Sequence, residues 1–287
     1  MYTRELEIAA WEIREEIIKM LTEAGSGHSG GPLGTAVWWA CLYLGGELKH
    51  KPKEPWWEGR DRVVVSAGHY CPAVYGALSK AGYFPGSELS SLRKMKSRLQ
   101  GHPQHNQSWV RSGNREQLPG IETSGGPLGQ GISQAVGMAI ASQMDSSGVR
   151  VWAFVSDGEL QEGQTWEALM LAGARGLWNL GVVVDSNNIQ ISGKTEDVLK
   201  VEPVRQKLTA WGFEVEEVEG EDIEGIMRAI KWVKSSFEKP RAIVLRTVPG
   251  KGVSFMEGKY EWHGKAPRGE EAQKALTEIR NRMQMLN

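Results

Sequence analysis

A chain of 287 residues with 40% hydrophobic and 24% charged residues has the composition of a globular protein with room for a sizeable core. Its 34 basic and 35 acidic residues leave a net charge of −1, which gives no electrostatic case for nucleic acid or an acidic surface as the main partner. No apolar run approaches the roughly 18 residues that span a membrane, and the N-terminus lacks the apolar core of a signal peptide. The two cysteines, Cys41 and Cys71, suggest neither a disulfide framework nor a cysteine-rich zinc site, so a cytoplasmic protein is expected.

Residues 4–24 carry Leu6, Ala9, Ala10, Ile13, Ile17, Met20 and Leu21 at helical spacing. The glycine-rich segment 25–31 ends that helix, and Pro32 suits the first turn of a second one running through Trp38 and Leu42. A short buried strand at 62–66 and a helix over 70–81 follow. Residues 82–120 are irregular, and so long a structureless stretch inside a compact domain is usually functional. A helix of small residues is predicted over 131–145. From there strands at 151–155, 180–184, 212–218 and 241–246 alternate with helices at 163–175, 203–210 and 222–236. A last helix is predicted from about 268. Alternating strands and helices imply an α/β fold, a mostly parallel sheet with helices on both faces. No linker divides residues 1–287, so a single domain is expected.

In such sheets ligands bind beyond the carboxyl ends of the strands. Two predicted strand ends carry oxygen donors: VWAFVSDGELQEG places Asp157 after one, and LGVVVDSNNIQISG places Asn187 after the next. A divalent ion such as Mg²⁺ takes about six oxygen ligands and shares phosphate oxygens readily. A carboxylate, an amide oxygen and a backbone carbonyl would form half of that shell, with a diphosphate and water completing it. Gly158 would let backbone N–H groups approach the phosphate, and the helix after it would turn its N-terminal donors the same way. The alternative is a strand–turn–helix joint followed by an Asn turn.

Asp157-Gly158 followed about thirty residues later by Asn187 resembles the thiamine diphosphate signature, with Ser156 where a Gly is usual. Four of the six histidines lie in segments that resemble transketolase motifs: His28 in SGHSGGPLG, His69 in SAGHYCPAVYGAL, His102 in QGHPQ and His263 in EWHGKAP. IETSGGPLGQGISQAVGMAIA resembles the phosphate-side loop and helix of the same family. The resemblance runs in order from about residue 10 to 268. It implies the thiamine diphosphate-binding fold, in a diphosphate (PP) domain, and transfer of a two-carbon ketol unit from a ketose phosphate to an aldose phosphate, as in the pentose phosphate pathway. The cofactor acts as electron sink, and histidines move protons near neutral pH.

By resemblance, Asp157, Asn187 and the carbonyl of Ile189 hold the metal, Mg²⁺ or else Ca²⁺ or Mn²⁺. His28 and His263 contact the donor carbonyl, its hydroxyls and the acceptor aldehyde, and His102 the donor's terminal hydroxyl. His69 and His263 touch the cofactor diphosphate, and Gly126, Pro127, Leu128 and Gly158 line the cofactor. Lys251 stands near a position where relatives carry a basic residue, with a surface role as the alternative. Ser29 and Gly125 stand where many relatives have Pro and Thr. His50 and His105 match no motif and read as solvated or capping residues.

The resemblance also implies a second, pyrimidine-side domain whose glutamate activates the cofactor, and no segment after His263 resembles it. The expectation is therefore an N-terminal subunit of a split transketolase, working with a separate C-terminal subunit in an α₂β₂ assembly. Of the acids after the metal loop, Glu159, Glu162 and Glu167, the family implies a role at the dimer interface, Glu162 foremost. Helix-dipole acids are the alternative, for Glu159 especially. Rival readings are a dihydroxyacetone synthase-like or unusual-sugar enzyme, and a non-catalytic cofactor-binding relative. A Rossmann protein is not supported, because no Gly-x-Gly-x-x-Gly follows a first strand.

Overall fold

The computed structural model describes residues 3–105 and 117–286. Helix α1 (Thr3–Ala24) buries every apolar residue named above, and also Trp11 and Ile18. It buries Arg14 as well, whose guanidinium donates to the Leu33 carbonyl at 3.0 Å and pairs with Glu221. A buried charge is tolerated only when paired in this way, and the pairing ties α1 to the segments before α3 and α9. The expected second helix is split into α2 (Gly30–Gly34) and α3 (Ala36–Leu44). Thr35 makes the break: its backbone leaves the helical region at φ −104° and ψ 7°. Its hydroxyl donates back to the Gly31 carbonyl and accepts from Trp39 Nε1.

Strand β1 (Arg62–Val65) leads through a 3-10 turn into α4 (Cys71–Lys80); α5 (Gln130–Met144) precedes β2 (Val151–Ser156), and α6 (Gly163–Ala174) precedes β3 (Leu180–Ser186). A small hairpin, β4 (Ile189–Gln190) and β5 (Gly193–Lys194), runs into α7 (Thr195–Val198). Two-residue strands carry no periodicity, so the sequence pattern does not announce them. Then come α8 (Val204–Ala210), β6 (Glu214–Glu219), α9 (Ile223–Lys234), β7 (Arg241–Arg246) and α10 (Gly269–Gln284).

The main sheet has the order β1-β2-β3-β7-β6 and every pairing is parallel. Side chains alternate across its two faces. Val63, Val65, Trp152, Phe154, Val183, Ile243 and Leu245 pack with residues of α1, α3, α4 and α9. Val64, Val151, Ala153, Val155, Val182, Val184 and Val244 pack with residues of α5, α6 and α8. Both faces are covered, so the central strands read as continuous apolar runs. The common parallel direction brings the carboxyl ends of β1, β2, β3 and β7 to one edge.

Phe154 lies beneath that edge, with ring centroids 4.8 Å from Trp39 and 4.9 Å from Tyr70. Phe154→Ala is expected to cost about 3–5 kcal/mol in a denaturant titration, the range for emptying a packed aromatic site. A loss below about 1 kcal/mol would show that the core under the edge is not packed as described.

Candidate active site

The four motif histidines come from four loops and meet. Ring centroids of His28 lie 5.1 Å from His69, 6.2 Å from His102 and 5.6 Å from His263, and His69 lies 5.2 Å from His263. The loops are fixed to one another. Ser29 Oγ bonds the carbonyls of Trp262 and Lys265 at 2.9 and 2.8 Å, joining the His28 loop to the His263 loop. Gly68, just before His69, has no room for a side chain: a Cβ there would lie 2.9 Å from the Gly126 nitrogen and 3.1 Å from the His102 ring. The backbone of Gly126, Pro127 and Leu128 is thereby brought beside His69 and His102. Pro127 is exposed and Leu128 half-buried.

Burial holds these imidazoles neutral. Desolvation first, then the neighbouring His263, His102 and Arg93, pushes His28 down to about 4. Desolvation alone does the same for His263. His69 lies well below its ordinary value and His102 is also lowered, both chiefly by burial. His69 Nε2 and His263 Nδ1 are buried and have no hydrogen-bond partner among the described residues. Unpaired buried nitrogens of this kind are costly and serve as ready contacts for a polar ligand.

Asp157 and Asn187 meet where β2 and β3 end. Asp157 Oδ1 accepts from Gly158 N at 2.8 Å, and Oδ2 accepts from the N–H groups of Asn187 and Asn188. The Asn187 amide nitrogen donates to Asp185 Oδ2 at 2.6 Å and to the Tyr70 hydroxyl at 2.9 Å. That fixes the amide orientation, since Asp185 only accepts. Asn187 Oδ1 takes Ile189 N at 2.9 Å. Tyr70 OH donates to Asp185 at 2.5 Å, and its ring lies 4.6 Å from His69, so it bridges the two clusters.

Burial, and then Asp185, raises Asp157 to about 7; burial raises Asp185 to about 6 against bonds from Thr247, Tyr70 and Asn187. Among the described residues no lysine or arginine pairs with either carboxylate, and no three His, Cys, Asp or Glu side chains form a metal cluster. The donors here are one carboxylate and one amide, with a backbone carbonyl nearby. They fit a hard divalent cation, which needs oxygen donors and would relieve two buried negative charges. Beside them Gly158 is open: a Cβ there would meet nothing closer than Gln190 Cβ at 3.8 Å. The unpaired nitrogens and this open backbone fit a diphosphate. A 3-10 turn, Gly158–Gln161, stands between Gly158 and the expected helix, which starts at Gly163 as α6. Ser156, in the usual Gly position, accepts from Glu159 N at 3.3 Å and so caps that turn.

The family model for "Transketolase, thiamine diphosphate binding domain" matches residues 7–283. The chain belongs to the transketolase family. Within it, the chain is 34% identical over 286 residues to an apulose-4-phosphate transketolase subunit of Phocaeicola vulgatus, covering 98% of that protein. It is 38% identical to the 6-deoxy-6-sulfo-D-fructose transketolase subunit SqwG of a Clostridium species, covering 90% of each. The transketolase structure from Campylobacter jejuni superposes with a TM-score of 0.86 at 35% identity, over 97% of this chain and 43% of that one. The fold is thus the thiamine diphosphate-binding fold of transketolases. The chain spans less than half of that solved enzyme and nearly the full length of the two subunits.

Other expected residues lie elsewhere. Lys251 pairs with Glu257 at 3.5 Å in a cleft lined by Trp11, Glu278 and Arg282. His50 stacks on Tyr83, and His105 bonds the Ile121 carbonyl. Glu162 and Glu167 are exposed, whereas Glu159 is fully buried. It accepts from Ser66 Oγ and from Gly129 N at 2.7 Å, and so clamps the end of β1 to the start of α5. The sequence reading does not single out Tyr70, Asp185 or Arg93. For Asp185 a signal exists, an acid closing an apolar strand.

The neutral imidazoles make stability fall with acid. In the unfolded chain His28 and His263 bind protons near 6.5, in the fold near 4, so the unfolded chain binds more protons between those values. At pH 5 each contributes about 2 kcal/mol of destabilisation. The raised Asp157, Glu159 and Asp185 act in the opposite sense, so the difference between two proteins is the proper readout. His28→Asn is expected to shrink the loss of unfolding free energy between pH 7 and pH 5 by about 2 kcal/mol. Equal pH dependence in both proteins would contradict a half-buried, neutral His28.

Proposed function

We propose that this chain is the diphosphate- and metal-binding subunit of a split transketolase. It would transfer a two-carbon ketol unit from an anionic ketose to an anionic aldose, with a separate pyrimidine-side subunit. The observation that carries the reading is the meeting of four neutral imidazoles with Asp157 and Asn187 at one sheet edge. Asp157, Asn187 and the Ile189 carbonyl would hold Mg²⁺. Gly158, His69 and His263 would hold the diphosphate, and the backbone of Gly126, Pro127 and Leu128 would flank the cofactor. When bound, thiamine diphosphate supplies the electron sink for breaking the bond beside the ketose carbonyl. His28, His102 and His263, each able to donate at one nitrogen and accept at the other, would orient sugar hydroxyls and carry protons to and from them.

The separate partner is supported by the relatives named as subunits, whose length this chain matches. A surface feature supports it too. Helix α5 carries no charged residue on either face. Met144 of α5 and Met170 and Leu171 of α6 are exposed, as are Glu162 and Glu167. Uncharged apolar surface of this kind marks protein contact. An α₂β₂ assembly would place these helices between copies. The relatives' names include a phosphorylated and a sulfonated sugar, so the sugar pair is the open part of the reading.

Mixing the purified chain with a pyrimidine-side subunit from the same source, thiamine diphosphate and Mg²⁺ should yield ketol transfer that neither chain gives alone. His28→Ala should lower kcat/KM of the mixture by about a hundredfold or more. Full activity of this chain alone would contradict the split, and an unchanged His28→Ala mixture would contradict the site.

A further inference from the structure

Tyr70 is fully buried, and its hydroxyl fills a corner that the chain keeps clear for it. A Cβ built on Gly31 would lie 2.5 Å from Tyr70 Cζ and 2.6 Å from the phenol oxygen, so only glycine at that position leaves the space. The ring is held from two further sides, with centroids 4.6 Å from His69 and 4.9 Å from Phe154. A phenol gripped in this way has one position for its oxygen.

That oxygen closes a ring of three polar groups. It donates to Asp185 Oδ2 at 2.5 Å and accepts from Asn187 Nδ2 at 2.9 Å, while Asn187 Nδ2 donates to the same Asp185 oxygen at 2.6 Å. Both N–H groups of the Asn187 amide are thereby used. Asp185 is itself anchored, since its other oxygen accepts from the Thr247 hydroxyl at 2.5 Å. Asn187 Oδ1 accepts from Ile189 N at 2.9 Å, and an amide oxygen has a second lone pair. The amide is thus fixed in place with one acceptor site of its oxygen left over.

We propose that Tyr70 is a positioning residue for the divalent ion: its hydroxyl holds the Asn187 amide, and with it the Asp185 carboxylate, in the arrangement that binds the ion. The assignment rests on the reading of Asp157, Asn187 and the Ile189 carbonyl as ion ligands, and it adds a residue outside that set which acts through Asn187. Without the hydroxyl, one buried amide N–H loses its partner and Asp185 loses a donor, so the restraint on both weakens. Groups that orient metal ligands in this way alter metal affinity by about ten- to a hundredfold.

Tyr70 also packs on His69, a contact proposed for the diphosphate, so the experiment separates ion from cofactor. Mn²⁺, an ion that prefers oxygen donors and is visible by EPR, is titrated into the full chain at saturating thiamine diphosphate. Thiamine diphosphate is then titrated by calorimetry at saturating Mn²⁺. Tyr70→Phe removes the hydroxyl and keeps the ring. Gly31→Ala reaches the same hydroxyl from the other side, because the added methyl takes its space.

Tyr70→Phe should weaken Mn²⁺ binding about tenfold or more. Thiamine diphosphate affinity at saturating ion should stay within about twofold, as for groups that share no partner. Gly31→Ala should lower ion affinity in the same direction. Unchanged ion binding in Tyr70→Phe would overturn the proposal. So would equal losses of ion and cofactor affinity, the mark of a general loosening, or a loss confined to the cofactor, which would tie the ring to His69 alone. Should Tyr70→Phe not fold, Gly31→Ala carries the same expectation and the same refutations. Failure of the underlying reading shows separately, as no binding of Mn²⁺ or thiamine diphosphate by the unsubstituted chain.

Discussion

Two carboxylates buried side by side, paired with no lysine or arginine among the described residues, are the constraint around which this molecule is arranged. Asp157 and Asp185 close adjacent parallel strands, and each is pushed toward neutrality by burial. The protein meets their cost with donors rather than charges. Three backbone N–H groups serve Asp157, while Tyr70, Asn187 and Thr247 serve Asp185. A buried polar network whose members are all bonded is rigid.

The rest of the architecture serves this edge. A sheet whose strands all run one way delivers the ends of β1, β2, β3 and β7 together, and helices on both faces keep it dry. Phe154 supports Tyr70 from below, and Tyr70 joins the carboxylate network to the imidazole cluster. Glu159 holds β1 to α5, which sets the distance between His69 and the Gly126–Leu128 backbone. Ser29 closes the opposite side by tying His28 to the His263 loop. Catalytic geometry in such a site depends on these supports as much as on the groups that touch ligand.

What is legible in the sequence, and what is not, follows from the range of the interactions. Strand periodicity announces the sheet, because each strand repeats one local pattern on two buried faces. Asp157 and Asn187 are legible because the chain leaves adjacent strand ends at fixed places, and the four histidines only because their segments resemble transketolase motifs in the same order. Tyr70 is not, since a tyrosine following a histidine has no local mark of the carboxylate 115 residues away that it serves. Glu159 reads as an interface acid or one favoured by a helix dipole, yet within this chain it is a buried clamp between the end of β1 and the start of α5. Thr35 breaks a helix that periodicity would continue, through a side-chain bond to its own backbone. Arg93 lies in the irregular stretch 82–120, where position is set by loops alone.

The most direct test of the central claim is calorimetric titration of thiamine diphosphate into the chain with and without Mg²⁺, repeated on Asp157→Asn. The account predicts binding that requires the divalent ion and is lost in the variant. Equal affinity with and without the ion, or a variant that binds as the unsubstituted chain does, would contradict it.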